Sequence, residues 1–548
     1  MVKTKPRKPG LGCWIFLFLG VLALGLVAFA GLAGLRMYDQ ARLVQQDALQ
    51  MRLLLSAPGS KLEQVQAAGP ALSALRQDFG TLEAETGPFL WLGPYLYWVP
   101  KYGGDLASVQ DLMNMADGLL ASGDMTYQAL APLLAGSPSP GLDPAHLTAV
   151  LLQAQPQLIE ARRQLDLAQV ARNHLSTAGL TPTVQDLVLK DVDPLMPLLE
   201  QGLEVAEQAP RLLGATSEGP KTYLVLALNE DELRASGGLI SAAGTLRVDN
   251  GHIGNLALQD SYNFDNWAKP YPVAPWELQE YMAAPVLVLR DASWFTNFPT
   301  TAAYARNLYS YADPQPVNGV IAFDQQMLVE LLGATGPIQL AGVPYSIDAN
   351  NVKMYMIAAK TPPANPPPDW NRKDFMGLLA QALMEKIFSG AVPPDRLVTV
   401  LLQVLNEHHL LLQVDDPSMT HILAQYCWAG AVCPETGDFL MVVDTNVGFN
   451  KTNAVVQSGL VYDVDLTKPA APLGMLAVVH LNNATPVICS LKHHFWLPDE
   501  RDYPITDCYW NYMRVYTASG TKLLQATPQF VPAIWTILEQ DVPARVDD

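Results

Sequence analysis

Residues 223–251 read YLVLALNEDELRASGGLISAAGTLRVDNG, and this stretch decides the fold of the central part of the chain. Its first six residues, 223–228, are all apolar, which is typical of a strand buried on both faces. Leu246 and Val248 then alternate with polar neighbours, and the Asn-Gly pair at 250–251 is a strong hairpin-turn signal. The stretch therefore predicts a buried strand followed by a β-hairpin.

Strand-like and helical patterns alternate downstream of this stretch. The strand-like runs are 286–289 and 320–323, and the helical patterns are 299–311 and 325–333. Strands mixed with helices predict a central α/β domain, which we place at 218–437. The Pro-rich run 361–369 within it has the composition of a surface loop.

The long segment upstream, 36–217, has a helical period. Its apolar residues recur at spacings of three and four, as at Leu147, Leu151, Ala154 and Leu158. Such spacing gives each helix one apolar stripe that packs against a neighbour. We therefore predict a stalk or bundle of antiparallel helices.

One part of this segment, 88–102, reads PFLWLGPYLYWVPKY and is dense in Trp and Tyr. Two interpretations are open. The stretch is either an interfacial belt on lipid headgroups, where Trp and Tyr are favoured, or an aromatic loop packed against the helices. We expect the packed loop.

The segment 438–530 has all-β signals. Its strand-like pieces, separated by turn residues, are FLMVVDT, SGLVYDVDL, GMLAVVHL and YMRVYTASG. Short strands at this spacing predict a β-sandwich, followed by a C-terminal tail at 531–548.

The N-terminal segment 11–35 carries no charged residue, while the tail before it, 1–10, holds four basic residues and no acidic one. About 20 apolar residues cross a bilayer as a helix, and a basic flank stays in the cytoplasm. The alternative, a cleaved signal peptide, has an apolar core of only about 7–15 residues. We expect a single-pass plasma-membrane anchor with the bulk of the chain extracytoplasmic.

Composition excludes some classes of partner. The chain has 548 residues, of which 49% are hydrophobic and 16% charged, with a formal net charge of -19. Such length and composition favour several domains with large cores, here a multidomain α+β protein. The acidic body argues against nucleic acid as a partner, because phosphates would be repelled.

Four of the five cysteines, Cys427, Cys433, Cys489 and Cys508, lie late in the chain. An even number outside the cytoplasm suggests disulfides, and proximity favours Cys427–Cys433 and Cys489–Cys508. The alternative is four unpaired buried thiols. No Cys-x-x-Cys spacing indicates a zinc site.

The stretch quoted first carries a family resemblance. Its segment Asn-x-x-Glu-Leu-Arg-x-x-Gly-Gly, at 229–238, resembles a bacterial family known as domain of unknown function 4012. Three further pieces agree, at 289–302, 317–338 and 444–453. The resemblance extends over most of 37–525 and implies a membrane-anchored protein, without bringing an activity.

A weaker resemblance links the segment VNGVIAFD…LLGATGPIQLAG, within 317–342, to the LytR-CpsA-Psr proteins. These are single-pass extracytoplasmic phosphotransferases that move glycopolymers from polyprenyl-pyrophosphate carriers onto peptidoglycan. The resemblance implies arginines that hold the pyrophosphate and an acidic residue that helps to hold Mg²⁺. The phosphate-gripping Ile-Pro-Arg-Asp motif does not occur here.

The first candidate ligand site follows the buried strand. Glu232 and Arg234 come directly after it, and Gly237 and Gly238 come next. Ligands on open α/β sheets bind beyond the carboxyl ends of strands, arginine binds phosphate in a bidentate manner, and glycines let the backbone approach a ligand. In the structural alternative, Arg234 pairs with a buried acidic residue and the glycines turn the chain.

A second set of candidates follows the run 286–289. Arg290 and Asp291 end that run, and Arg306 would lie on the next helix. If the strands are parallel, Arg234 and Arg290 converge on one crevice, with Asp291 and Asp260 available for a hard cation such as Mg²⁺.

No other metal site is predicted, since the paired histidines at 408–409 and 493–494 are neighbours in sequence and do not face one ligand together.

Two functions stay open. The first is a non-catalytic envelope component that binds glycans or proteins. The second is a phosphotransferase acting on a polyprenyl-pyrophosphate-linked glycopolymer, which would need a deep apolar pocket under Arg234 and Arg290.

Overall fold

The computed structural model describes residues 34–58, 61–134, 143–359, 374–389, 392–434, 437–484 and 508–526. These residues fall into two compact units, whose main boundary along the chain lies between Pro210 and Arg211. The sequence indicated that boundary at 217/218. The basic tail 1–10, the Pro-rich loop 361–369 and the tail 531–548 lie outside the described residues.

The predicted transmembrane segment 11–35 also lies outside the described residues, apart from Gly34 and Leu35, which begin the first helix. Within the part of the chain that the structure describes, no helix is both long and apolar enough to cross a membrane.

The first unit is helical, as its apolar spacing predicted. Its helices are α1 (34–55), α2 (Lys61–Thr86), α3 (Gly103–Ala107), α4 (Val109–Leu134), α5 (Pro144–His174), α6 (Pro182–Asp186) and α7 (Asp193–Leu212). A 3₁₀ helix (Gly87–Leu96) follows α2, and a π-helical turn (Leu187–Val192) precedes α7. Residues at spacings of three and four along α5, including Leu151, Ala154, Leu158, Ala161 and Leu165, are buried in the unit's core.

Helices α2 and α4 run antiparallel and are joined by polar pairs. The Ser73 hydroxyl donates to Asp124 at 2.5 Å, and Arg76 forms an ion pair with Asp117. Ser73 precedes Arg76 in α2 while Asp124 follows Asp117 in α4, so the two helices point in opposite directions.

The aromatic stretch 88–102 is not the packed loop that we expected. It forms most of the 3₁₀ helix and the turn after it, and its Trp and Tyr side chains are exposed. Gly93 is the buried residue of that helix, and a Cβ added there would lie 2.6 Å from the Leu106 carbonyl oxygen. The backbone therefore packs inward at Gly93, which leaves Trp91 and Tyr95 outside.

The second unit combines a mixed sheet with helices. Its strands are β1 (Lys221–Asn229), β2 (Leu239–Asp249), β3 (His252–Ile253), β4 (Gln259–Asp260), β5 (Gly319–Phe323), β6 (Leu410–Val414), β7 (Leu440–Val443), β8 (Val456–Asp465), β9 (Leu473–Asn482) and β10 (Arg514–Thr517). Its helices are α8 (Trp276–Met282), α9 (Phe298–Tyr309), α10 (Gln325–Thr335), α11 (Val352–Ala358), α12 (Asp374–Phe388), α13 (Pro394–Asn406) and α14 (Pro417–Gln425).

The main sheet has six strands in the order β3-β2-β1-β5-β6, with β4 also paired to β2. Strand β1 is parallel to β5 and antiparallel to β2, so the sheet is mixed. The residues of β1 from Tyr223 to Asn229 are buried, as the apolar run predicted. The predicted hairpin turn also forms, with φ of 49° at Asn250 and 79° at Gly251, which suits a tight turn between β2 and β3.

The run 286–289 is not a strand of this sheet, and this prediction was wrong. Val286 makes a single bridge to Val273, and a 3₁₀ helix begins at Leu289. Pro272 directly precedes Val273, and Pro285 directly precedes Val286. Because proline has no N–H, ladder pairing cannot continue through them. Leu287, Val288 and Leu289 are buried without a sheet.

The predicted β-sandwich at 438–530 does not form within 437–484 and 508–526. Those residues make two separate two-stranded sheets, β7 with β10 and β8 with β9. A sandwich needs two sheets that face each other across a shared core. Here Leu460 and Val461, which point to opposite faces of β8, are both exposed.

The cysteine pairing is confirmed for Cys427 and Cys433, which form a disulfide. Cys508 is buried and disulfide-bonded. Its predicted partner, Cys489, lies outside the described residues.

Candidate functional site

Arg234, the central residue of the predicted site, is buried inside the second unit. Its side chain is 1% exposed. One guanidinium nitrogen, Nη2, donates to Asp291 Oδ1 at 3.0 Å, and Nη1 donates to the Asn446 carbonyl oxygen at 2.7 Å. The structural alternative of the sequence analysis therefore describes this arginine: it pairs with a carboxylate of its own chain.

Glu232 completes the same network. Its carboxylate lies 3.5 Å from Arg234 and 3.2 Å from the Lys451 ammonium. Asn453 accepts a hydrogen bond from the Leu233 N–H at 3.2 Å. The segment 444–453 thus packs directly on the segment 229–238.

Gly237 and Gly238 turn the chain from β1 into β2. Their φ angles are 104° and 147°, in the region that favours glycine. A Cβ on Gly238 would lie 2.5 Å from the backbone of Asn229. The close approach that requires glycine here is to the protein's own strand.

Arg290 lies in a second internal pair. It donates to Asp265 at 2.8 Å, and its guanidinium lies over the Tyr262 ring, 4.2 Å from the centroid. Burial disfavours its charge, but the Asp265 hydrogen bond and the charges of Asp265 and Asp291 outweigh burial and raise the pKa of Arg290. Asp291 is therefore near both predicted arginines, and each arginine already has a carboxylate partner.

Asp260 and Arg306 do not join this cluster. Asp260 is buried and accepts a hydrogen bond from the Tyr262 N–H at 3.3 Å, at the start of a 3₁₀ turn. Arg306 pairs with Asp415 at 2.6 Å, just after β6. Arg306 lies on α9, as expected. Because β6 is antiparallel to β5, Asp415 lies at the amino end of β5, away from Arg234 at the carboxyl end of β1.

The structure instead brings together Glu230, Asp324 and His409 at the carboxyl edge of the parallel strands. Glu230 follows β1, Asp324 follows β5 and His409 precedes β6, so three distant segments meet there. One potential ligand atom from each lies within 4.8 Å of the others. Two carboxylates and an imidazole are a donor set that suits a divalent transition-metal cation.

The charges in this cluster are partly compensated by the protein. Asp324 Oδ2 lies 2.7 Å from His409 Nδ1, and this hydrogen bond raises the pKa of His409. Glu230 accepts from the Gln326 N–H at 2.6 Å and from the Lys353 ammonium at 3.0 Å. Burial, and then the nearby Asp324 charge, raise the pKa of Glu230. A cation bound here would replace the proton on His409.

A narrow pocket lies beside the cluster. Its lining combines Asp324 and Asn229 with the apolar side chains of Met356, Phe375 and Met376. Its narrowness does not match the deep apolar pocket that a polyprenyl tail would need.

Sequence reasoning did not single out these three residues as a site. Asp324 directly follows the apolar run 320–323, so the rule that ligands bind beyond strand ends would have found it. His409 was discounted as one of an adjacent pair. The structure uses His409 alone and leaves His408 exposed.

Comparisons with known proteins support one of the two resemblances. Residues 218–359 match the family model described as "Protein of unknown function (DUF4012)", so that resemblance is confirmed over these residues. No curated protein matches the chain. None of the findings supports the resemblance to the LytR-CpsA-Psr proteins.

A search of solved structures found the Lin1025 protein from Listeria innocua. It is 10% identical, with a TM-score of 0.22, and the match covers 38% of this chain and 79% of that chain. A TM-score this low carries no argument about fold or function.

Proposed function

We propose that this chain is a membrane-anchored, extracytoplasmic cell-envelope protein that binds a cell-wall glycan or a protein partner and does not transfer glycopolymer. The observation that carries the proposal is the burial of Arg234. A pyrophosphate needs guanidinium groups that it can reach, and this guanidinium is bonded to Asp291 and to the Asn446 carbonyl within the fold.

Two features support the location. The apolar segment 11–35 follows a basic tail, which is the pattern of a helix with its N-terminus in the cytoplasm. The Cys427–Cys433 disulfide fits an oxidising compartment.

The proposal is tested with the full-length protein in lipid nanodiscs. Isolated cell-wall glycan and a polyprenyl-pyrophosphate-linked oligosaccharide are supplied with Mg²⁺, and both co-sedimentation and release of the polyprenyl product are measured. We expect binding to the wall material without product release. Release of polyprenyl phosphate that depends on Arg234 would reverse the proposal in favour of a phosphotransferase.

The Glu230–Asp324–His409 cluster favours a second function, binding of a divalent cation by the second unit. This proposal rests on the three ligand atoms within 4.8 Å of one another at the strand ends. Lys353 is its internal competitor, because it holds Glu230 when no cation is bound. A thermal shift on addition of Mn²⁺ or Zn²⁺ tests this: we expect His409→Asn to abolish it and His408→Asn to retain it.

A further inference from the structure

Five aromatic side chains on one short segment of the first unit are exposed to a degree unusual for rings of this size. The exposed fractions are 63% for Trp91, 68% for Tyr95, 73% for Tyr97, 67% for Trp98 and 50% for Tyr102. We call these five residues the aromatic surface. A cluster of large exposed rings on a folded protein generally marks a surface that something else covers.

The helices before it show where this surface lies. Near the turn between α1 and α2, the Gln64 side chain donates to the Ala57 carbonyl oxygen at 2.7 Å. Further along, the carboxyl groups of Asp47 of α1 and Asp78 of α2 are close enough to interact, which, after burial, raises the pKa of Asp47. Contacts that join earlier residues of α1 to later residues of α2 make the pair an antiparallel hairpin.

The level of each residue along this hairpin follows from helix geometry. From Asp47 back to Gly34, α1 rises about 20 Å at 1.5 Å per residue. From Asp78 to Thr86, α2 rises about 12 Å in the same direction. Thr86 therefore lies toward the same end of the hairpin as Gly34, and the segment that carries the aromatic surface follows Thr86 in the chain at that end.

Gly34 is the last residue but one of the apolar segment 11–35, so α1 would leave the bilayer at this level. Trp and Tyr are the side chains that favour the boundary between hydrocarbon and water. The stretch 87–104 also contains no acidic residue, although the chain as a whole is strongly acidic, and it carries the exposed Lys101. Its charge therefore suits the anionic headgroups that an acidic surface would repel.

We propose that the aromatic surface rests in the headgroup region of the same membrane that anchors the chain, a proposal that depends on the membrane anchoring proposed above. The bilayer then holds the α1–α2 hairpin at two places, the end of the apolar segment and the aromatic surface. A single flexible anchor allows tilting in every direction, whereas two contacts fix how the hairpin stands on the membrane.

The test uses full-length protein in vesicles of zwitterionic and anionic phospholipids, with and without bromine on the upper acyl chain. Fluorescence is recorded for the wild type and for the double variant Trp91→Phe/Trp98→Phe, and their difference reports these two rings. We expect the difference signal to be quenched in brominated vesicles. Trp267→Phe is the matched comparison, because Trp267 is 66% exposed in the second unit.

The vesicles are washed with alkaline carbonate before the measurement. Loss of the wild type in the wash would refute the anchor and, with it, the proposal. Retained protein with an unquenched difference signal would refute the membrane contact alone and would assign the aromatic surface to a glycan or protein partner. Retained protein with a quenched signal, larger than that for Trp267, supports the contact.

Discussion

Arg234 shows how one buried charge can determine what a site does. Its guanidinium is taken out of water and is compensated by Asp291, Glu232 and two backbone carbonyl oxygens. A buried charge without such partners is very costly, and removal of the arginine would take from Asp291 its hydrogen-bonded cation and from the Asn446 carbonyl oxygen its donor. Its place after β1 is the place where a ligand would bind, and its environment is that of a structural ion pair.

We predict that Arg234→Ala lowers the free energy of unfolding by about 3–5 kcal/mol, the usual cost of breaking a buried ion pair. Chemical denaturation of the purified protein measures this. Arg247→Ala is the matched control, because Arg247 lies on β2 with its side chain 63% exposed, and we expect a change within about 0.5 kcal/mol. Equal stability of the two variants would show that Arg234 is not structural.

The cation proposal predicts a thermal shift that depends on His409. Adding Mn²⁺ or Zn²⁺ should raise the melting temperature of the wild type, because binding to the folded state alone stabilises it. His409→Asn should abolish the shift. His408→Asn should retain it, since His408 is exposed and asparagine tolerates its φ of 62°. The same shift in both variants would exclude this cluster as the site.

The pH dependence of that shift has a defined sign. The Asp324 hydrogen bond raises the pKa of His409 above its ordinary 6.5. Protonated His409 therefore stabilises the fold below about pH 6.5, and this contribution is lost as the pH rises through the raised pKa. Histidine binds a metal ion only in its neutral form, so the cation-induced shift should grow with pH over the same range.

At the scale of elements, the turn between β1 and β2 sets the geometry of the Arg234 network. Gly238→Ala would place a methyl group against the Asn229 backbone and would strain a φ of 147°. We predict a loss of about 1–3 kcal/mol in the free energy of unfolding. Gly333→Ala, at an exposed position of α10 with nothing within 4 Å of the added Cβ, should be neutral or stabilising by up to about 1 kcal/mol. Equal effects would contradict the tight-turn account.

Elements with local determinants could be predicted from the sequence, and those that depend on distant partners could not. Three elements are marked by their own local sequence: β1 by its apolar run, the hairpin turn by Asn250-Gly251, and α5 by apolar residues at spacings of three and four. The run 286–289 has the composition of a strand, but its pairing stops at Pro272 and Pro285, whose effect depends on which segments meet. The strands β8 and β9 were predicted correctly as strands. The alternation of apolar and polar residues along a strand does not specify whether a second sheet packs against it, so the β-sandwich could not be predicted from that pattern.

The candidate site shows the same limit. Glu232 and Arg234 are two residues apart in sequence and could be singled out together, but their burial follows from the segment 444–453, which folds over them. The cluster of Glu230, Asp324 and His409 joins residues from three separate strand ends. Only the parallel pairing of β1 with β5 and the antiparallel pairing of β6 place them at one edge.

At the scale of the whole molecule, the proposed function requires that both units lie on the extracytoplasmic side of the membrane. The basic tail 1–10 should keep the N-terminus in the cytoplasm, and the units after residue 35 should lie outside. The proposed glycan or protein partner, the disulfides and the contact of the aromatic surface all presuppose this arrangement.

The most direct test is the activity of a reporter fused after Asp548. Alkaline phosphatase, which is active only outside the cytoplasm, should be active in this fusion, and a fluorescent protein that matures only in the cytoplasm should stay dark. Replacement of Lys3, Lys5, Arg7 and Lys8 by glutamine should weaken the orientation, because these charges are its physical cause. An inactive phosphatase together with a bright cytoplasmic reporter would contradict the account.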